Sequence, residues 1–201
     1  KQDLGDQPIG HGVAVPTIAE VSRPPGWWGS VFLLVANATL FGSLLFGYAF
    51  LWTIAPGWPP PAFITPSLPT MLAAAVGAAL AVAGVAIAVR TNRNGGTPVS
   101  GLLAAVAGAL GLVAVFAMML WSAPPAAGHA YNATVMVLAS YGLIHAALAS
   151  LMLIFLLARH RAGYMSQRRR GELAIVKVWT MYLAGVTGLV VPAVYLPGLV
   201  T

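Results

Sequence analysis

An all-α membrane bundle of five transmembrane helices is the fold this sequence predicts, with a cytoplasmic N-terminus and the C-terminus outside. Three observations carry that expectation. The chain is 59% hydrophobic and only 7% charged, whereas a soluble domain holds about a quarter charged residues. Five apolar stretches recur, each about long enough for a helix rising 1.5 Å per residue to cross a hydrocarbon core of about 30 Å. Nine of the ten Lys and Arg residues fall in three segments that five spans place on one side: Lys1 and Arg23, then Arg90 and Arg93, then Arg159, Arg161, Arg168, Arg169 and Arg170. By the positive-inside rule that side is the cytoplasm.

Two regions follow, a tail or linker over 1–26 and the bundle over 27–201. The tail is polar, rich in Gly and Pro, and holds three of the four acidic residues, so it reads as extended with little structure of its own. It lacks the charged start and short apolar run of a signal peptide. Lys1 in place of an initiator Met is expected of a processed chain, or of one continuing from a segment upstream.

The first span, 27–54, carries no charge from Gly26 to Ile54. Trp27 and Trp28 stand at its entrance and Trp52 at its exit, where amphipathic rings favour headgroup depth. Arg23 and Pro24-Pro25 give it a charged, stiff approach. The following APGWPPPAFITPSLP is uncharged, and its prolines favour an extended, stiff connection. The second span, 67–89, stops at Arg90. Ala73, Gly77 and Ala81, then Gly84 and Ala88, recur at four-residue spacing and predict a low stripe for close helix contact, though an Ala-rich helix gathers small residues by composition alone. TNRNGGT with Arg93 makes a short turn.

Span three, 98–121, opens with Pro98 in its first turn and presents Gly101, Ala104, Gly108 and Gly111 as a similar narrow face. An uncharged SAPPAAGHAYN leads to the fourth span, 133–158, which ends in RHRAGYMSQRRRGE, the most basic stretch. The fifth, 173–196, has Pro192 and Pro197 near its end, where a proline disturbs a helix least. Lys177, the tenth basic residue, lies one turn inside the fifth span and reaches outward on its flexible stem.

Chemistry inside the spans is sparse. None contains Asp or Glu, which excludes a carboxylate proton path within the chain, and the absence of Cys excludes disulfides and thiolate metal sites. The net charge of +6 is not read as nucleic-acid binding, because no basic face interleaved with aromatics accompanies it. No phosphate-binding Gly loop, nucleophile triad or metal cluster is present, so no catalytic, cofactor-binding or metal residue is assigned. His145, mid-way along the fourth span, has three readings: a haem ligand, a proton relay, or a histidine satisfied by packing. The third is favoured, since His11, His129 and His160 fall in loops or tail and leave no second mid-membrane ligand. Asn37 is a buried amide suited to bridging helices or holding a lipid headgroup or water. Thr39, Ser43, Ser140, Tyr141, Ser150, Thr180 and Tyr182 can return hydrogen bonds to their own helix or a neighbour. The run Gln167 to Arg170 serves as a topology anchor or a grip on anionic lipid. Candidate lipid or interhelix contacts are therefore Asn37, His145, Arg90, Arg93, Arg161 and Tyr182.

These residues resemble a known family. WWGSVFLLVANATLFGSLLFGYAF is similar to the opening of the five-helix core of subunit III of haem-copper terminal oxidases. RPPGWWG, with GWPPPAF and PSLPT, resembles the subunit III part of bacterial cytochrome c oxidase chains in which subunits I and III are fused. HAYNATVMVLASYGLIHAALASLMLIFLLAR stands where the family has a GFHGLH-type motif, and RAGYMSQRRRGELAIVKVWTMYLAGVTGLVVPAVYL where it has a WHFVD pattern. The resemblance spans 23–196. This chain departs from it at the polar positions: Asn37 replaces the family glutamate, Gly142 the first motif histidine while His145 matches the second, and Thr180, Met181 and Ala184 stand near Trp179 without the final His and Asp. The resemblance implies a non-catalytic subunit III in the bacterial cell membrane, with no cofactor of its own. It would pack against subunit I, possibly fused upstream, and subunit II, the haem and copper lying in the catalytic partner. It would bind phospholipid and support proton uptake and complex stability in aerobic electron transport. Alternatives are the subunit III-like accessory protein of a nitric oxide reductase or quinol oxidase and, in another class, a small membrane transporter.

Overall fold

Buried backbone in hydrocarbon must satisfy its own hydrogen bonds, so each apolar stretch is helical. In the computed structural model, which describes residues 25–60, 68–165 and 170–197 and the backbone of 7–8 and 14–15, the helices are α1 (Pro25–Ile54), α2 (Leu68–Arg93), α3 (Val99–Trp121), α4 (Ala130–Arg161) and α5 (Gly171–Tyr195), with a 3-10 turn at Ala126–Gly128. All five are long and apolar enough to cross a membrane. In the tail, Gln7–Pro8 pairs antiparallel with Ala14–Val15, a minimal β1/β2 ladder in a segment expected to hold little structure. The rest of the tail, residues 61–67 of the Pro-rich connection and residues 166–169 of the basic run lie outside the described residues.

The helices overrun their apolar spans chiefly at the basic side. α2 continues through Arg90 to Arg93, and α4 through Arg159 to Arg161. Cations in a last helical turn face the negative end of the backbone dipole, so charge ends the apolar span without ending the helix. Gly95 and Gly163 supply the positive φ that follows each of these ends.

α2, α3, α4 and α5 form a ring in which each packs on the next and α5 returns to α2; α1 lies outside it, against α4 and α5. The closest seam joins α2 and α3. A Cβ on Gly84 would stand 2.5 Å from the Ala105 nitrogen and 2.6 Å from the Gly101 oxygen, and one on Gly101 2.5 Å from the Ala88 nitrogen. Gly108 meets Ala81 and Gly77 in the same way. The seam thus runs along Gly77, Ala81, Gly84 and Ala88 on α2 and along Gly101, Ala105, Gly108 and Leu112 on α3. Three expected members are corrected: Ala73 is exposed, Ala104 is only half-buried while its neighbour Ala105 meets Gly84, and Gly111 has open space where a Cβ would be. On α2, strict four-residue spacing drifts about 40° per step around a helix of 3.6 residues per turn, which carries Ala73 off the seam. On α3 the expected face already alternates steps of three and four, and the contacts with Gly77 and Gly84 shift it by one residue, to Leu112 and Ala105. Elsewhere in the ring, a Cβ on Gly142 of α4 would fall 2.4 Å from the Phe116 ring of α3, so the bare glycine is what admits that ring.

Two apolar clusters fill the ring. One, toward the α1–α2 connection, centres on Leu112, Phe116, Tyr131, Leu138, Leu183 and Val190; the other, toward the basic side, on Val85, Leu102, Leu153, Leu156 and Leu173. α1 contributes only Leu34, Phe41 and Tyr48 as buried side chains.

Candidate functional site

Three of the sequence-predicted contact residues meet mid-way along the bundle, where α1, α4 and α5 touch. Turn-spaced pairs build the cluster: Asn37 and Phe41 on α1, Tyr141 and His145 on α4, Trp179 and Tyr182 on α5. Residues three or four apart share a helix face, so each pair presents one surface to the other two helices. The Tyr141 hydroxyl donates to the backbone carbonyl of Asn37 at 2.9 Å. It also lies 2.6 Å from the Tyr182 hydroxyl. A phenol has one proton to give, so with the Asn37 carbonyl taking it, Tyr182 is the donor in the second bond.

The Asn37 side chain does not make the interhelical link expected of it. Its amide nitrogen donates to Leu33 of its own helix at 2.9 Å, and the bridge to α4 uses the Asn37 carbonyl, which has a second lone pair beyond its helical bond. Sequence reasoning aimed at the conspicuous side chain and passed over the main-chain acceptor beneath it. His145 is buried, with Nδ1 2.9 Å from the Tyr141 carbonyl. A carbonyl only accepts, so that bond belongs to the tautomer carrying the proton on Nδ1. Its ring stacks on Tyr141 at 4.2 Å between centroids and lies 6.3 Å from Trp179 and 5.4 Å from Tyr182. Phe41 stacks on the other face of the interface, 5.0 Å from Tyr141. Among the described residues no group of three or more His, Cys, Asp or Glu comes together to hold a metal. Chemically, the arrangement ties three helices mid-way along the bundle through one hydroxyl-to-carbonyl bond, one hydroxyl-to-hydroxyl bond and stacked rings. The other span hydroxyls mostly close on their own helix four residues back: Thr39 to Val35, Ser43 to Thr39, Ser150 to Ala146, Thr180 to Val176 and Thr187 to Leu183.

A second aromatic group, which sequence reasoning missed, closes the C-terminal end of α5. The last carbonyls of a helix lack intrahelical donors, and Pro197 has no N–H to offer Ala193. The Tyr48 hydroxyl of α1 donates to the Ala193 carbonyl instead, and the Tyr131 hydroxyl of α4 donates to Val194 at 2.6 Å. Trp58 packs edge-on against both tyrosines, 5.3 Å from Tyr48 and 5.2 Å from Tyr131. The legible signal was Pro197 itself, which announces an orphaned carbonyl four residues earlier.

At the opposite, basic end the last turn of α2 faces the first turns of α5. Arg90 and Arg93 come together there with Lys177 and Arg170, beside Trp27 of α1, around cavities of about 370 and 360 Å³. Arg161 does not join them; it is exposed at the end of α4. Its neighbour Arg159 makes a 2.8 Å ion pair with Glu172 and lies 5.1 Å from the Tyr164 ring centroid. Both partners of that pair are partly exposed, at 36% and 41% of their side chains, and solvent screening limits its contribution to about 1 kcal/mol or less.

No protein-family model and no curated protein matches the chain. What fold and sites define is a helical bundle with five segments able to span a membrane, its polar contacts placed at mid-depth and at one basic end.

Proposed function

We propose that this chain is a non-catalytic accessory subunit of a respiratory haem-copper oxidase, of the five-helix subunit III class. It resides in the bacterial cell membrane with its basic end and N-terminus in the cytoplasm. It packs against the catalytic subunit, which holds the haems and copper, and against subunit II; it binds phospholipid and steadies the complex rather than handling electrons. The family resemblance of the WWG opening and of the order of elements supplies the class.

The observation that carries the packing role is the position of α1. Only 11% of an 18-residue apolar stretch of it is buried, against 50% for the matching stretch of α4, and it turns Phe32, Leu40, Phe46 and Phe50 outward. A helix fixed by one face and rich in aromatics on the other suits a larger membrane partner. The mid-bundle cluster supports the same role, because its bonds join helices of this chain.

The test is purification from native membranes in mild detergent. A catalytic subunit carrying haem and copper is expected to accompany the chain, detected by absorbance and metal content. Recovery with a nitric oxide reductase or quinol oxidase would move it to that sister class; recovery alone with solute transport in vesicles would overturn the reading.

A further inference from the structure

At the end opposite the basic one, α4 is capped by a titratable side chain. His129 holds the N-cap position in extended backbone (φ −163°, ψ 149°), and its Nδ1 accepts the Tyr131 N–H at 3.1 Å. The first N–H groups of a helix have no partner within it, so this bond satisfies one of them. The hydroxyl or amide oxygen of an ordinary cap keeps its lone pairs at any working pH, whereas an imidazole nitrogen accepts only while it carries no proton. The other ring nitrogen, Nε2, lies 3.5 Å from the Pro56 carbonyl, in the connection that follows α1. A carbonyl only accepts, so one neutral tautomer, protonated on Nε2, serves both contacts.

A proton on Nδ1 removes that acceptor and sets a positive charge against the positive end of the α4 dipole. The titratable groups nearest the ring are phenols, which stay neutral below about pH 9: Tyr48 of α1, reached through Trp58, Tyr131 of α4, and Tyr195 of α5 beside Tyr131. Among the described residues every Arg, Lys and Glu lies toward the basic end, where Arg159 is about 45 Å away at the helical rise. His145 is about 24 Å along the same helix, and His160 lies at its far end. The cap is also joined to the closure of α5. Tyr131 gives its N–H to His129 and its hydroxyl to the Val194 carbonyl, and Trp58 packs 5.8 Å from the His129 ring and 5.2 Å from that of Tyr131.

We propose that His129 is an acid-sensitive cap: neutral, it holds the first turn of α4 closed, and protonation from the aqueous side opens that turn and loosens the hold of Tyr131 on the end of α5. A bond that needs the ring neutral is at full strength above the range in which imidazole titrates, about pH 5–8, and is lost as pH falls through it. The response is local, because the charged groups of the described residues lie at the other end of the bundle. It uses bonds within this chain alone and so holds whichever complex the bundle joins.

The test is amide hydrogen exchange over residues 130–134 of the full chain in mild detergent, at about pH 5 and about pH 8, either side of the imidazole range. Wild type is compared with H129N at each pH, which cancels the intrinsic pH dependence of exchange; asparagine caps a helix well and does not titrate. The two should exchange alike at the higher pH, and wild type about fivefold faster at the lower, the worth of one N-cap bond. H129A should exchange about fivefold faster than wild type at the higher pH and match it at the lower. A ratio of wild type to H129N that does not change with pH would overturn the proposal, as would H129A indistinguishable from wild type at the higher pH. If H129N loses its helical circular dichroism, the ratio of H129A to wild type decides: it must shrink toward one on acidification, and a constant ratio would contradict the assignment.

Discussion

The α2–α3 seam and the α1 contact solve the same problem, helix association in a medium as apolar as the side chains, by opposite means. Along the seam, glycines bring backbone against backbone, with no room for even one added carbon at Gly84, Gly101 or Gly108. α1 is held at a distance by large groups: Phe41 stacked on Tyr141, and Tyr48 and the Asn37 carbonyl in hydrogen bonds. Gly29, Gly42 and Gly47 of α1 meet nothing within 4 Å. Without a hydrophobic drive between helices, close van der Waals approach holds the first interface and a few polar anchors hold the second. The first therefore tolerates no added volume, and the second depends on single hydroxyls.

Breaking the seam should have the largest effect. Gly101→Leu drives carbon into the backbone of Gly84 and Ala88, atoms that cannot rotate away, and should cost on the order of 3 kcal/mol or more, read as unfolding in detergent by circular dichroism. Gly42→Leu on α1 is the matched control and should stay within about 0.5 kcal/mol. If the two behave alike, the contrast between the interfaces is wrong. Gly142→Ala comes next. It meets a ring rather than backbone, so the expected loss is about 1–3 kcal/mol, and Phe116→Leu in the same chain should recover much of it.

Removing α1's anchors should be milder and local. Tyr141→Phe deletes the bond to the Asn37 carbonyl and the one received from Tyr182, and Tyr48→Phe leaves the Ala193 carbonyl without its donor. Each should cost about 1 kcal/mol and raise amide hydrogen exchange in α1 before α2 or α3. Asn37→Ala, by contrast, keeps the bridging carbonyl and should cost less than Tyr141→Phe. An equal or larger effect would show that the amide has a partner beyond its own helix. Smallest of all, Arg159→Gln removes an exposed ion pair and should shift stability by about 1 kcal/mol or less, a difference that salt erases.

The five spans were legible because twenty-odd apolar residues in a row admit one backbone solution. The helix ends were less so, since Arg90 and Arg159 end a hydropathic pattern but sit comfortably at a helix C-terminus. Gly77, Gly84, Gly101 and Gly108 stood out as small residues, yet two faces of α3 alternate steps of three and four through Gly101 and Gly108, and only the contacts with Gly77 and Gly84 select Ala105 and Leu112 over Ala104 and Gly111. The outlying place of α1 could not be read at all: its span is as apolar as those of the ring, and only contacts distinguish them. Likewise Asn37, His145 and Tyr182 were each visible, whereas their meeting, and that of Arg90 and Arg93 with Arg170 and Lys177, requires α5 to lie against α1, α2 and α4 at once.

The accessory-subunit reading makes the outer face of α1 a contact with another polypeptide, and site-specific photocrosslinking in native membranes tests this most directly. A crosslinker replacing Phe46, which is 74% exposed, should capture a haem-bearing polypeptide, while one replacing Ile87 on the outer face of α2 serves as comparison. Capture of lipid alone at position 46, with no protein adduct in membranes that retain the oxidase, would contradict it.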